Sequence, residues 1–147
     1  MPVVDIQIRD KHLWRLIRPR AFCRHIISSA WMGSPEMEVS VVLADDSFVH
    51  ALNKQYRGKD KPTNVLSFEN EGFCAGDIVI AYGVLCREAK EQHKSFRAHL
   101  AHLLVHGTLH LQKYDHLTDK QAKKMESLET KIMQKLGYAD PYQEDKC

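Results

Sequence analysis

Residues 100–116 read Leu-Ala-His-Leu-Leu-Val-His-Gly-Thr-Leu-His-Leu-Gln-Lys-Tyr-Asp-His. Through Leu111 the run is apolar enough for a buried helix, in which His106 and His110 stand one turn apart on one face, their Cβ atoms roughly 5–6 Å apart. That spacing suits two ligands of one metal ion. Residues 112–115 are polar and irregular, so the helix should end there, and a chain that turns back delivers His116 to the same point. Three neutral imidazoles leave a tetrahedral zinc with one open position, the coordination of a catalytic site rather than a structural one. The expectation is one Zn2+ per chain on His106, His110 and His116.

Outward from this stretch, the helical pattern extends back to about residue 95, and another helix is expected over 83–92. Residues 77–82 are almost wholly apolar and read as a strand buried on both faces, after a turn over 72–76. Residues 3–9 alternate, with Val4, Ile6 and Ile8 on one face, and residues 38–44 are rich in β-branched side chains; both read as strands. A short strand is expected over 64–68. Helices are expected over 20–31, with Pro19 at the first helical position, and over 48–56, with Asp45, Asp46 and Ser47 as cap candidates. A last helix begins with a capping box at Thr118 and Gln121, carries Met125, Leu128, Ile132 and Leu136 at helical spacing, and stops at Gly137. Its other face, with Lys120, Lys123, Lys124, Glu126, Glu129 and Lys131, reads as solvated surface. Strands mixed with helices around one buried sheet give an α/β or α+β domain, and 147 residues suit a single domain over 1–147.

A formal charge of +2 is too small to declare nucleic-acid binding by itself. No apolar run approaches the length of a membrane span. The first ten residues lack the apolar core of a signal peptide, so a cytoplasmic protein with no membrane partner is expected. Cys23, Cys74, Cys86 and Cys147 form no Cys-x-x-Cys and no close pair, against a disulfide framework, a zinc ribbon or a redox motif. Cys23 and Cys86 read as buried reduced thiols.

Nine histidines are many for this length, and five fall between His99 and His116. A lone histidine on an apolar helix is usually a satisfied core residue, so His99 and His102 are read as structural or groove-lining groups. The zincin-type motif H-E-x-x-H also spaces its histidines four apart, with a glutamate as general base. Gly107 occupies that place here, which removes the base a peptidase needs. A glycine inside a helix costs about 1 kcal/mol relative to alanine, so Gly107 points to close approach by backbone or ligand. Asp115 is a candidate helix cap or a partner behind the ligands. Lys54, Arg57, Lys59 and Lys61 form a dense positive patch. Alone, Arg57 is a solvated loop charge; beside a metal, its guanidinium suits a phosphodiester held bidentately.

Residues 98–111 with Tyr114-Asp115-His116 closely resemble the signature of the YbeY family of bacterial metal-dependent endoribonucleases. Residues 56–68 (Tyr-Arg-Gly-Lys-Asp-Lys-Pro-Thr-Asn-Val-Leu-Ser-Phe) match a second signature and Gly76-Asp77-Ile78 a third, and Met125-Glu126-Ser127-Leu128-Glu129 to Asp140-Pro141-Tyr142 resembles the family's last helix and tail. The resemblance implies a zincin-like α+β fold with a mixed four-stranded sheet and about five helices. It implies zinc on His106, His110 and His116 and a functional Arg57 in a positively charged groove; with the zinc placed there, His106 and Arg57 are expected to be catalytic and Arg57, Lys59 and Lys61 to contact RNA phosphates. It implies cleavage of single-stranded ribosomal RNA in 16S rRNA 3′-end maturation, ribosome quality control, and the small ribosomal subunit or its assembly factors as partners. The family usually has glycine just before Tyr-Asp-His, where this chain has Lys113, and residues 69–75 form a shorter segment than is common. Two other readings stand beside the nuclease: a zinc metallopeptidase, and a ribosome-assembly or RNA-binding factor whose zinc is structural.

Overall fold

The computed structural model describes residues 2–16, 18–70, 74–114 and 117–142. Strands β1 (Val3–Ile8), β2 (Glu38–Ala44), β3 (Val65–Glu69) and β4 (Cys74–Ala81) form one sheet in the order β1-β2-β4-β3. The first two strands and β4 run parallel, and β3 is antiparallel to β4. Five helices accompany the sheet: α1 (Pro19–Ala30), α2 (Asp46–Arg57), α3 (Tyr82–Glu91), α4 (Phe96–Leu111) and α5 (Asp119–Lys135), with a 3-10 turn at Leu13–Leu16. The α+β class, the mixed four-stranded sheet and the five helices agree with the sequence reading.

Helix α4 is the hub. Leu100, Ala101, Leu104, Val105 and Leu109 expose no surface, and buried residues cover most of the helix circumference, leaving His102, His106 and His110 along a partly exposed stripe. It packs against α1, α3, α5, the edge strand β3 and its neighbour β4. Each fully buried leucine is worth roughly 1.5–3 kcal/mol of burial, so these contacts hold the helix that carries the histidines. Its start is fixed by Ser95, whose Oγ accepts from the Ala98 amide at 3.0 Å. Both halves of the Thr118–Gln121 capping box are present on α5, and Asp45 caps α2 by accepting from the Phe48 amide at 2.8 Å.

Element boundaries shift by one to three residues from expectation, and two of these shifts bear on the site. Helix α2 runs on to Arg57, which is therefore its last residue and not a loop residue; Gly58 follows in the left-handed region with φ of 68°. The fourth strand begins at Cys74, within the segment read as a turn. The reason is a bulge. Glu38 pairs with Cys74 and Val39 with Gly76, so Ala75 is an extra residue on β4. At Gly76 φ is 154°, and a Cβ there would lie 2.1 Å from the carbonyl oxygen of Phe68. Only glycine lets β3 close onto β4 at this point. Cys86 is half-buried and not fully buried as read, whereas Cys23 is buried, and burial pushes its thiol up to about 12.

Because the obstructing atom at Gly76 is backbone, Gly76→Ala is expected to cost about 3 kcal/mol. Urea unfolding measures this, and a loss below about 1 kcal/mol would contradict the close approach.

Candidate active site

On α4 the rings of His106 and His110 lie side by side, with centroids 4.7 Å apart and planes at 77°. The close approach inferred at Gly107 is made by the sheet: a Cβ there would sit 3.1 Å from Ser67 Oγ on β3 and 3.1 Å from Ile78 Cγ2 on β4. The missing side chain lets α4 sit down on these two strands.

Behind the histidines lies Glu129, which the sequence reading placed on the solvated face of α5. That reading is corrected: Glu129 has no exposed surface. The buried stripe of α5 is Met125, Glu129 and Met133, spaced four apart, and the i, i+4 relation of Glu129 to two buried methionines was the available signal. His106 Nδ1–H donates to Glu129 Oε1 at 2.6 Å and His102 Nε2–H to Oε2 at 2.7 Å, and the Tyr142 hydroxyl also donates to Oε2. Burial acts to raise the Glu129 carboxyl, but the hydrogen bonds from His102 and His106, attraction to His106 and the Tyr142 bond outweigh it and hold it at about 2. With Nδ1 of neutral His106 carrying the proton, Nε2 is the lone-pair nitrogen of that ring, the arrangement that a carboxylate behind a metal-bound histidine produces.

The structural reading holds for His99. It is buried, its Nε2–H donates to Glu88 Oε1 at 2.9 Å, and burial pulls its pKa down against the opposing pull of Glu88. His102 stands behind His106 through their shared glutamate.

Across from the imidazoles, Arg57, Lys59 and Lys61 line a groove of about 810 Å³ that His106 and His110 also line. Arg57 is not a loose charge: Nη2 donates to the Ser67 carbonyl at 2.7 Å, and the guanidinium carbon lies 5.1 Å from the Phe68 ring centroid. The lysine loop is held as well. Buried Asn53 donates to the Lys61 carbonyl at 2.8 Å, its own carbonyl accepts from the Lys59 amide at 3.2 Å, and Asp60 pairs with His50 at 2.6 Å. Neither Asn53 nor His50 carried a local signal in the sequence.

His116 and Asp115 lie outside the described residues, as does Cys147. Among the described residues no group of three His, Cys, Asp or Glu side chains is disposed to hold a metal ion. Helix α4 ends in a Schellman turn: the Lys113 amide donates to the His110 carbonyl at 3.0 Å and the Tyr114 amide to the Leu109 carbonyl at 3.2 Å. Lys113 occupies the left-handed position with φ of 74°. This is where glycine is free of strain, and a lysine there costs about 1–2 kcal/mol. Its ammonium pairs with Glu69, which also lines the groove, so the substitution keeps the turn and its charge is matched.

The sequence profile described as endoribonuclease YbeY matches residues 8–137. The chain belongs to the YbeY endoribonuclease family. A Methylocella silvestris protein named endoribonuclease YbeY is 44% identical over 153 aligned positions, covering 97% of this chain and 87% of that one. The solution structure of a Thermotoga maritima protein superposes with a TM-score of 0.57 at 24% identity, covering 96% of this chain and 99% of the other, and shares the fold. As a member of the YbeY family the chain is an endoribonuclease, a hydrolase of phosphodiester bonds in RNA, and the peptidase reading falls away.

Glu129→Gln keeps the shape but sets an amide N–H2 against an imidazole N–H, and is expected to cost roughly 2–3 kcal/mol. The folded carboxyl lies below its ordinary value of 4.5. Its contribution is thus complete above that pH and is lost as pH falls toward 2, so the gap between wild type and Glu129→Gln in urea unfolding should close over that interval. A gap independent of pH would overturn the carboxylate's role. At Lys113, alanine and glycine both remove the ion pair but only glycine relieves the left-handed strain. Lys113→Gly should therefore be about 1–2 kcal/mol more stable than Lys113→Ala, and equal denaturation midpoints would refute it.

Proposed function

We propose that the chain is a single metal-dependent hydrolase domain of zincin-like fold that cleaves single-stranded ribosomal RNA, using one zinc ion held by His106, His110 and His116. The observation that carries this reading is the shared groove, with an imidazole pair on one side and an anchored arginine on the other. The donor set fits zinc: His106 is held by Glu129 in the tautomer whose Nε2 carries the lone pair, and His110 stands beside it. When bound, the ion supplies Lewis-acid stabilisation of charge at the scissile phosphodiester.

The protein's own part is to bind and orient. Arg57 Nη2 is committed to Ser67, which leaves four further N–H donors on the guanidinium, enough for a bidentate edge to hold the scissile phosphate. Because its pose is set by Ser67 and Phe68, little ordering is left to be done when substrate arrives. Lys59 and Lys61 contact neighbouring phosphates and carry no sequence preference. The substrate in this reading is the 3′ end of small-subunit 16S rRNA during maturation and quality control, with the small subunit or its assembly factors as partners, in the cytoplasm. No helix among the described residues is long and apolar enough to cross a membrane.

Elemental analysis should find about one zinc per chain in wild type and in Arg57→Glu, and little in His106→Ala. Cleavage of a single-stranded rRNA fragment should fall at least about a hundredfold in both variants. Full cleavage by either purified variant, or undiminished zinc in His106→Ala, would sink the assignment.

A further inference from the structure

The groove does not stop at His106. Asn64, Val65 and His106 line it and also line a second pocket of about 390 Å³, whose other walls include His102, Leu103 and Tyr142. That volume falls within the range of small-ligand sites. Its lining mixes apolar side chains with amide and imidazole edges, a combination that suits a flat ligand with apolar faces and a hydrogen-bonding rim.

Tyr142 is fixed from several directions. Its amide donates to Asp140 Oδ1 at 2.9 Å, and the same oxygen accepts from Thr130 Oγ1 at 3.2 Å. The Pro141 carbonyl before it accepts from Lys94 Nζ at 2.8 Å, and the Tyr142 hydroxyl is tied to buried Glu129. Its ring meets His102 edge-on with centroids 5.3 Å apart. Despite these ties Tyr142 remains 42% exposed. A ring already immobilised surrenders little further freedom when a planar group stacks on it, so it is a preorganised platform.

We propose that this second pocket receives an unpaired nucleobase of the RNA strand, adjacent to the phosphodiester held at Arg57 and His106, with Tyr142 as its stacking surface. The inference rests on the reading of the main groove as the RNA site. A base inside a duplex stack cannot enter a lateral pocket, so the geometry itself selects single strands.

Fluorescence anisotropy with two labelled 2′-O-methyl decamers tests it, one oligouridine and one abasic at every position, both checked for integrity by gel. Wild type should bind the base-bearing strand about tenfold more tightly. Tyr142→Ala should bring that ratio close to unity without weakening the abasic strand, and Tyr142→Phe, which keeps the ring, should preserve it. A ratio unchanged in Tyr142→Ala, equal losses on both strands, or Tyr142→Phe behaving like Tyr142→Ala would each overturn the proposal. Equal binding of the two strands by wild type would overturn it alone, whereas binding of neither would overturn the RNA reading of the groove as well.

Discussion

A carboxylate removed from water must be matched by donors, because an unpaired buried charge costs far more than the fold can spare. At Glu129 that requirement is met by His102, His106 and Tyr142. The two imidazoles come from α4, the phenol from the segment after α5, and the carboxylate from α5 itself. Satisfying one charge therefore joins two helices and the following segment at one point. It also sets which nitrogen of His106 bears the proton, so the bonds that satisfy the buried charge also orient that imidazole.

The opposite wall of the groove is arranged by a similar economy. Helix α2 ends at Arg57, and the left-handed Gly58 turns the chain back so that Asn53 can hold the loop carrying Lys59 and Lys61. Strand β3 then accepts Arg57 through the Ser67 carbonyl. The positive side chains are thus presented from anchored backbone, which limits the entropy lost when they engage an anion.

Much of this was legible from the sequence where pattern and chemistry coincide. The helical spacing of His106 and His110, the alternation of β1 and the capping box of α5 are local signals, and local signals survive folding. What escaped was non-local. Glutamate is ordinarily a surface residue, and only the packing of α5 on α4 explains the burial of Glu129. Arg57 looked like a loop charge because the signal that extends α2 is the glycine after it, and its partner Ser67 lies ten residues on. Gly76 was read as a turn because a bulge and a turn ask the same freedom of glycine; the strand pairing that distinguishes them belongs to β2 and β3.

Ser67 links the two walls. Its carbonyl holds Arg57, while its hydroxyl lies against the bare Cα of Gly107, one residue from His106. The strand thus works as a spacer block, with the guanidinium on one side and the imidazole helix on the other. Its thickness is set by how far α4 can descend, and that is set by the single hydrogen that stands at position 107 in place of a side chain. A bulkier residue there would act as a shim, widening the jaws by moving the helix away from the strand. The width of the groove is in this sense gauged by a residue with no functional group at all.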